Sequence, residues 1–179
     1  MPAAQIRTDR RWDEVLEEHR DAIAGFLEVA SRLDDGAWGE PWAPDKWTRG
    51  QVAQHLVLVY EALLKEVRTG ERMTTRMPRW RQNMLRWIVL PHILFHRSFP
   101  GRPRSPREAR PAEPLPPCAE VLRRLRELGE RFEAEVTQAR RNGGGGLTHP
   151  YFGTIEPVRG MRFIAVHIEH HTRQIATRS

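Results

Sequence analysis

Seven prolines stand between Arg97 and Pro117, and they constrain the fold more than any other feature of the chain. Proline lacks the amide proton a helix needs and its ring clashes with the preceding turn. A stretch this rich in proline is not a regular helix, so it reads as a long strap between two helical halves. A connection of that length allows the helices it joins to lie parallel, because a short turn gives antiparallel neighbours.

The flanking halves are periodic. Trp12, Leu16, Ile23, Phe26 and Ala30 fall at helical spacing and predict a first helix from about Asp9 to Leu33. A turn-forming, Trp-containing loop follows. Thr48-x-x-Gln51 reads as a capping box that opens a second helix to about Arg68, with Val52, Leu56, Val59, Ala62 and Leu63 inward. A further helical pattern, residues 77–96, is expected to kink or end near Pro91. After Pro116-Pro117 a third helix runs to about Arg141, with Val121, Leu125, Leu128, Phe132 and Val136 on one face. The run Gly143 to Gly146 ends it. A fourth helix starts near Thr154 or Pro157 and reaches almost to the C-terminus. No strand pattern and no internal repeat stand out. The expectation is all-α: a four-helix bundle with a long Pro-rich crossover between helices 2 and 3, in a single domain over residues 1–179.

With 179 residues, 39% of them hydrophobic and 29% charged, the chain suits one globular core. The single cysteine, Cys118, leaves no intramolecular disulfide and fits a reducing cytoplasm. The N-terminus lacks the apolar core of a signal peptide. The longest apolar stretch, Trp87 to Phe95, is broken by Pro91 and His92. It falls short of the roughly 20 residues a membrane span needs. The net charge of +6 is local: residues 68–110 hold eleven Arg against Glu71 and Glu108, while the rest of the chain holds 18 basic and 21 acidic residues. With no recognition-helix motif, this charge does not read as nucleic-acid binding. A basic, Trp- and Pro-rich insertion at about 70–117 describes it better.

The histidines carry the chemistry. His167 and His171 are spaced i, i+4, one above the other on helix 4, beside the stripe of Ile164, Ile168 and Ile175. His55 shares the inward stripe of helix 2 with Val52 and Val59. Three inward imidazoles are costly to bury without partners, and a metal ion satisfies all three. Three protein ligands also leave one position open for water or substrate, the pattern of a reactive site. His170 projects about 100° away from His171 and is a poor co-ligand. His19 lies off the level of His55 and reads as a core or interface residue. His92 and His96 are also i, i+4, but they lie beside Pro91 in the basic segment and make a weak pair. His149 sits in a loop where it can line the mouth of a site. Gln174 shares the face of the His pair and can orient a ligand. Glu169 lies off that face and reads as a solvated charge. Cys118 reads as a half-buried thiol, with a lowered pKa as the functional alternative.

Three pieces together resemble the DinB/YfiT superfamily: Trp47-Thr-x-x-Gln-Val-x-x-His55-Leu, His149-Pro-Tyr-Phe-Gly153, and His167-x-x-x-His171-x-x-Gln174-Ile. The resemblance covers essentially the whole chain. It implies an up-down-down-up four-helix bundle, often homodimeric, binding a zinc- or nickel-like divalent ion through the three His that map onto His55, His167 and His171. It implies metal-dependent hydrolysis, or chemistry on a low-molecular-weight thiol such as thiol transfer or thiol-assisted isomerisation, with a small-molecule substrate. The basic Trp-rich segment has no counterpart among these motifs. The alternative to an enzyme is a non-catalytic metal-binding or interaction protein. In that case the segment Trp80 to Phe99 contacts an anionic membrane surface or an acidic partner. Packing of its apolar face on the bundle or across a dimer interface, with the Arg solvated, is the preferred expectation for that segment.

Overall fold

The structure, a computed structural model, describes residues 3–72, 77–100 and 105–176, with side chains from residue 9 onward. Arg76, Arg102 and Arg104 of the basic segment lie outside the described residues. The elements in chain order are α1 (Ala3–Ala30), α2 (Asp35–Gly39), α3 (Arg49–Thr69), α4 (Arg79–His96), a 3-10 turn (Arg107–Ala109), α5 (Cys118–Arg141), β1 (Leu147–His149), β2 (Gly153–Ile155) and α6 (Pro157–Ala176). The four expected long helices are α1, α3, α5 and α6.

The periodic stripes meet in one core. Phe26, Tyr60, Leu63, Leu125, Phe132, Met161 and Ile168 are almost fully buried. Each large apolar side chain so placed contributes roughly 1.5–3 kcal/mol relative to exposure. α1 packs chiefly on α6, and α3 on α5. Polar pairs mark the seams. Trp12 Nε1 donates to Thr137 Oγ1 between α1 and α5 (3.3 Å), and Arg124 to Glu61 between α5 and α3 (2.9 Å). Arg68 pairs with Glu135 further along that second seam. Among the described residues, no helix is long and apolar enough to cross a membrane.

Local chemistry sets the register of α3. Thr48 Oγ1 accepts from the Gln51 amide (3.1 Å), and Gln51 Oε1 accepts from the Thr48 amide (2.9 Å), so the capping box forms as expected. Gly50 lets the Trp38 ring of α2 close over the helix start; a Cβ there would meet the ring at 2.7 Å. Beside it, buried Arg49 donates to the carbonyl of Ile175 in α6 (3.3 Å). This contact ties the start of α3 to the end of α6 and fixes how the two His-bearing helices align.

Three expectations change. α4 runs through Pro91 without ending, with Pro91 on the exposed side of the helix. α1 begins at Ala3, six residues ahead of the predicted start. A strand pair exists: Leu147 opposes Ile155, Thr148 opposes Thr154 and His149 opposes Gly153. Strands of three residues are shorter than a period-2 pattern can reveal; of the two expected starts of the last helix, Thr154 falls inside a strand and Pro157 is the observed start. Gly153, at φ 65°, closes the hairpin under Gln82 of α4, where a Cβ would meet Gln82 Oε1 at 2.5 Å.

Glu66 anchors this hairpin to α3. Its buried carboxylate accepts from the Thr148 amide (3.1 Å) and from Thr148 Oγ1 (2.5 Å). Glu66→Ala would leave both buried donors unsatisfied, and we expect it to cost about 3 kcal/mol. A urea unfolding curve checks this, with Glu66→Gln recovering part of the loss because it keeps an acceptor.

Candidate metal centre

The three predicted histidines converge. One nitrogen from each of His55, His167 and His171 lies within 4.8 Å of the others, and among the described residues no other group of three or more His, Cys, Asp or Glu does so. His167 Nε2 is 3.0 Å from His171 Nε2 and 3.5 Å from His55 Nε2. Two nitrogens bound at 2.0–2.1 Å to one tetrahedral ion stand about 3.3 Å apart. The donor set fits a divalent ion.

The other ring nitrogens fix the tautomers. His55 Nδ1 donates to the carbonyl oxygen of Ala109 (2.6 Å), and His171 Nδ1 donates to Gln174 Oε1 (2.7 Å). A carbonyl oxygen only accepts, so the proton sits on Nδ1 in both rings and the Nε2 lone pairs turn toward the shared point. Gln174 Nε2 in turn donates to His170 Nε2 (3.0 Å), which engages His170 outside the cluster. Gln174 therefore holds the His171 ring in place. Ala109 was not legible: a backbone carbonyl in the Pro-rich strap leaves no side-chain signal. The 3-10 turn of residues 107–109 places it, with Ala109 fully buried against α3.

Burial keeps these rings neutral. Desolvation lowers His55 to about 4 from its ordinary value of 6.5, against the raising effect of the Ala109 hydrogen bond. Desolvation holds His167 and His171 well below 6.5, and the neighbouring histidines push the same way. Between pH 6.5 and about 4 the unfolded chain binds more protons than the folded one, so stability is fully present above 6.5 and falls as pH drops. For His55 alone the shift corresponds to about 3 kcal/mol across that window. The urea midpoint of chelator-treated protein is expected to fall between about pH 7 and pH 5. An unchanged midpoint contradicts the burial of these rings.

The cluster opens on a cavity of about 1090 Å³. Trp47, Leu85, Val89, Phe99, Phe152 and Phe163 give it mainly apolar and aromatic walls, and Trp47 sits 5.2 Å from the His55 ring. The inner face of α4 thus packs over the cavity. His149, expected at the mouth, lines the same wall, stacked on Phe152 at 4.7 Å. The Tyr151 amide donates to His149 Nδ1 (3.3 Å), which leaves the proton on Nε2 and makes that atom a donor.

The remaining candidates fall elsewhere. His19 is fully buried, with Nδ1 donating to Glu133 (2.7 Å) and Nε2 bonded to the Tyr60 hydroxyl (2.5 Å), a core role as expected. The His92 and His96 rings lie 4.3 Å apart, tilted by 44°, on exposed turns of α4. Glu169 is not merely solvated: it pairs with Arg97, which also reaches Glu18 (3.4 Å), and so ties the end of α4 to α6 and α1. The activated-thiol alternative for Cys118 is corrected. Burial first, and the charge of Asp35 second, push its pKa up.

No curated protein matches the chain. Among solved structures, YfiT from Bacillus subtilis is similar in fold. YfiT is described as a probable metal-dependent hydrolase with an unusual four-helix bundle topology. The likeness has a TM-score of 0.54 at 16% identity, over 92% of this chain and 83% of that one. The profile of the DinB superfamily matches residues 16–175, a span running from α1 to within a residue of the end of α6. The chain belongs to the DinB superfamily.

Proposed function

We propose that this protein is a metal-dependent enzyme acting on a small molecule. His55, His167 and His171 hold one divalent ion, zinc or nickel, and one coordination position opens on the cavity for water or a low-molecular-weight thiol. The observation that carries the reading is the aim of three Nε2 atoms at one point, with two rings locked from behind by Ala109 and Gln174. When bound, such an ion lowers the pKa of water or a thiol and polarises an electrophile. The description of YfiT as a probable hydrolase supports hydrolysis. Thiol transfer is the other chemistry this superfamily suggests.

The chain's own residues do the rest. The aromatic and aliphatic walls receive the apolar body of a substrate and exclude water from the reacting bond. His149 Nε2–H donates to a substrate oxygen, where negative charge develops. Among the described residues lining the cavity, Asp45 alone is acidic, and it is exposed. No carboxylate is therefore assigned as general base.

The same reading takes residues 1–179 as one cytoplasmic domain, with an insertion at about 70–117. It takes α1, α3, α5 and α6 as up-down-down-up, with the Pro-rich strap as the crossover. The pairs Glu61–Arg124 and Arg68–Glu135 support parallel α3 and α5, and Arg49–Ile175 with His55–His167 supports antiparallel α3 and α6.

The test loads the protein with zinc or nickel and screens apolar esters, amides and thiol acceptors. Turnover is expected to vanish with a chelator and return with metal. His149→Ala is expected to keep its metal and lose about 100-fold in kcat. Equal turnover by the loaded protein and His167→Ala would overturn the reading.

A further inference from the structure

α4 has two apolar faces, and only one of them is covered. Its inner face packs over the cavity through Leu85, Val89 and Ile93. On the outer face Trp80, Met84, Trp87, Ile88 and Phe95 are exposed, from 45% for Met84 to 83% for Phe95. At about 100° per residue these five fall within an arc of roughly 100°, so they form one stripe along the helix. They are all of the large exposed hydrophobics among the described residues. The expected packing of the segment on the bundle therefore accounts for its inner face and not for this outer stripe.

The charge beside the stripe says what covers it. α4 carries Arg79, Arg81 and Arg86 and no acid. Arg79 and Arg81 are exposed and lie on opposite flanks of the stripe, and the Arg81 guanidinium rests 5.2 Å over the Trp80 ring. A second copy of the chain would bring the same cations against these, with no carboxylate on the helix to answer them. Side chains this exposed stand out from the surface, a shape suited to insertion into a fluid interface. Trp, Phe and Ile on one face with Arg at its edges is the pattern of a helix lying in a lipid headgroup layer. α4 is not apolar enough to cross the bilayer, which fits a helix that lies on it.

We propose that the outer face of α4 docks the protein on an anionic membrane surface. Trp80, Trp87, Ile88 and Phe95 enter the headgroup boundary, while Arg79 and Arg81 meet lipid phosphates. The cavity then sits behind a single helix from the lipid. The docking does not depend on the metal centre, and its test does not read activity.

The full chain is mixed with vesicles of phosphatidylcholine with and without phosphatidylglycerol, and floated on a density gradient. Tryptophan emission is recorded in parallel. The protein is expected to float with the anionic vesicles, to shift its emission to the blue, and to release at high salt. Trp87→Ser/Ile88→Ser, at exposed positions, is expected to keep wild-type helix content and lose at least about tenfold in vesicle affinity. Arg79→Gln/Arg81→Gln is expected to weaken binding to anionic vesicles only. Wild-type protein that stays at the bottom of every gradient overturns the proposal. So does equal binding by the Ser pair, or equal binding to both vesicle types. Light scattering that finds a dimer in the wild type and a monomer in the Ser pair assigns the stripe to a second copy and overturns it as well.

Discussion

His167→Ala is expected to lose divalent metal while keeping its helices. His167 Nε2 lies 3.0 Å from His171 Nε2 and 3.5 Å from His55 Nε2, so its removal would leave only two of the three donors to hold an ion. Partners behind a ligand cost about 10–100-fold in metal affinity when removed, and a ligand itself costs more. The effect is readable as stability. Metal at about 1,000 times its dissociation constant adds about 4 kcal/mol to the folded state, equivalent to roughly 10 °C in Tm for a chain of this size. Differential scanning calorimetry with zinc or nickel is expected to show that rise in the wild type and none in His167→Ala. Gln174→Ala, which frees the back of His171, is expected to fall between them. A variant with the full wild-type shift contradicts the ligand assignment.

His19→Ala is expected to have the largest effect on folding and little on metal. His19 is fully buried, with both ring nitrogens engaged. Its Nδ1–H donates to Glu133, which Arg20 also pairs at 2.8 Å. Desolvation pushes the Glu133 carboxyl up, yet the hydrogen bonds and charges of His19 and Arg20 outweigh it and hold the pKa below the usual value. Burial, with the Glu133 charge, raises the pKa of the Tyr60 hydroxyl, which is hydrogen-bonded to His19 Nε2. Removing the ring leaves a cavity, an unsatisfied hydroxyl and a half-paired carboxylate. The expected cost is about 3–5 kcal/mol, against about 1–2 for Tyr60→Phe. Urea unfolding measures both. None of the trio lines the cavity, so metal affinity is expected to stay within a few-fold of wild type. A loss under about 1 kcal/mol contradicts the network.

The sequence was most legible where a physical period writes itself into residue choice. Stripes such as Val121 to Val136 predict α5 nearly to the residue, and Thr48 with Gln51 marks the start of α3. The i, i+4 spacing of His167 and His171 is enough by itself to put two donors on one helix face. What stayed hidden depends on contacts distant in the chain. The Ala109 carbonyl acquires its role only when the strap folds onto α3. Glu169 becomes an ion-pair partner only because Arg97, at the end of α4, comes across to it. Pro91 predicted a break, but it faces solvent, where a carbonyl without its helical donor can be hydrated. The hairpin rests on a buried carboxylate 82 residues away from Thr148.

Elemental analysis of the purified chain tests the central claim most directly. After loading with zinc or nickel and removal of free metal, the wild type is expected to hold one divalent ion per chain. His55→Ala, His167→Ala and His171→Ala are each expected to hold far less, with helix content intact by circular dichroism. A wild type that holds only a small fraction of an ion, or three variants that hold as much as the wild type, would contradict a metal centre built on these histidines.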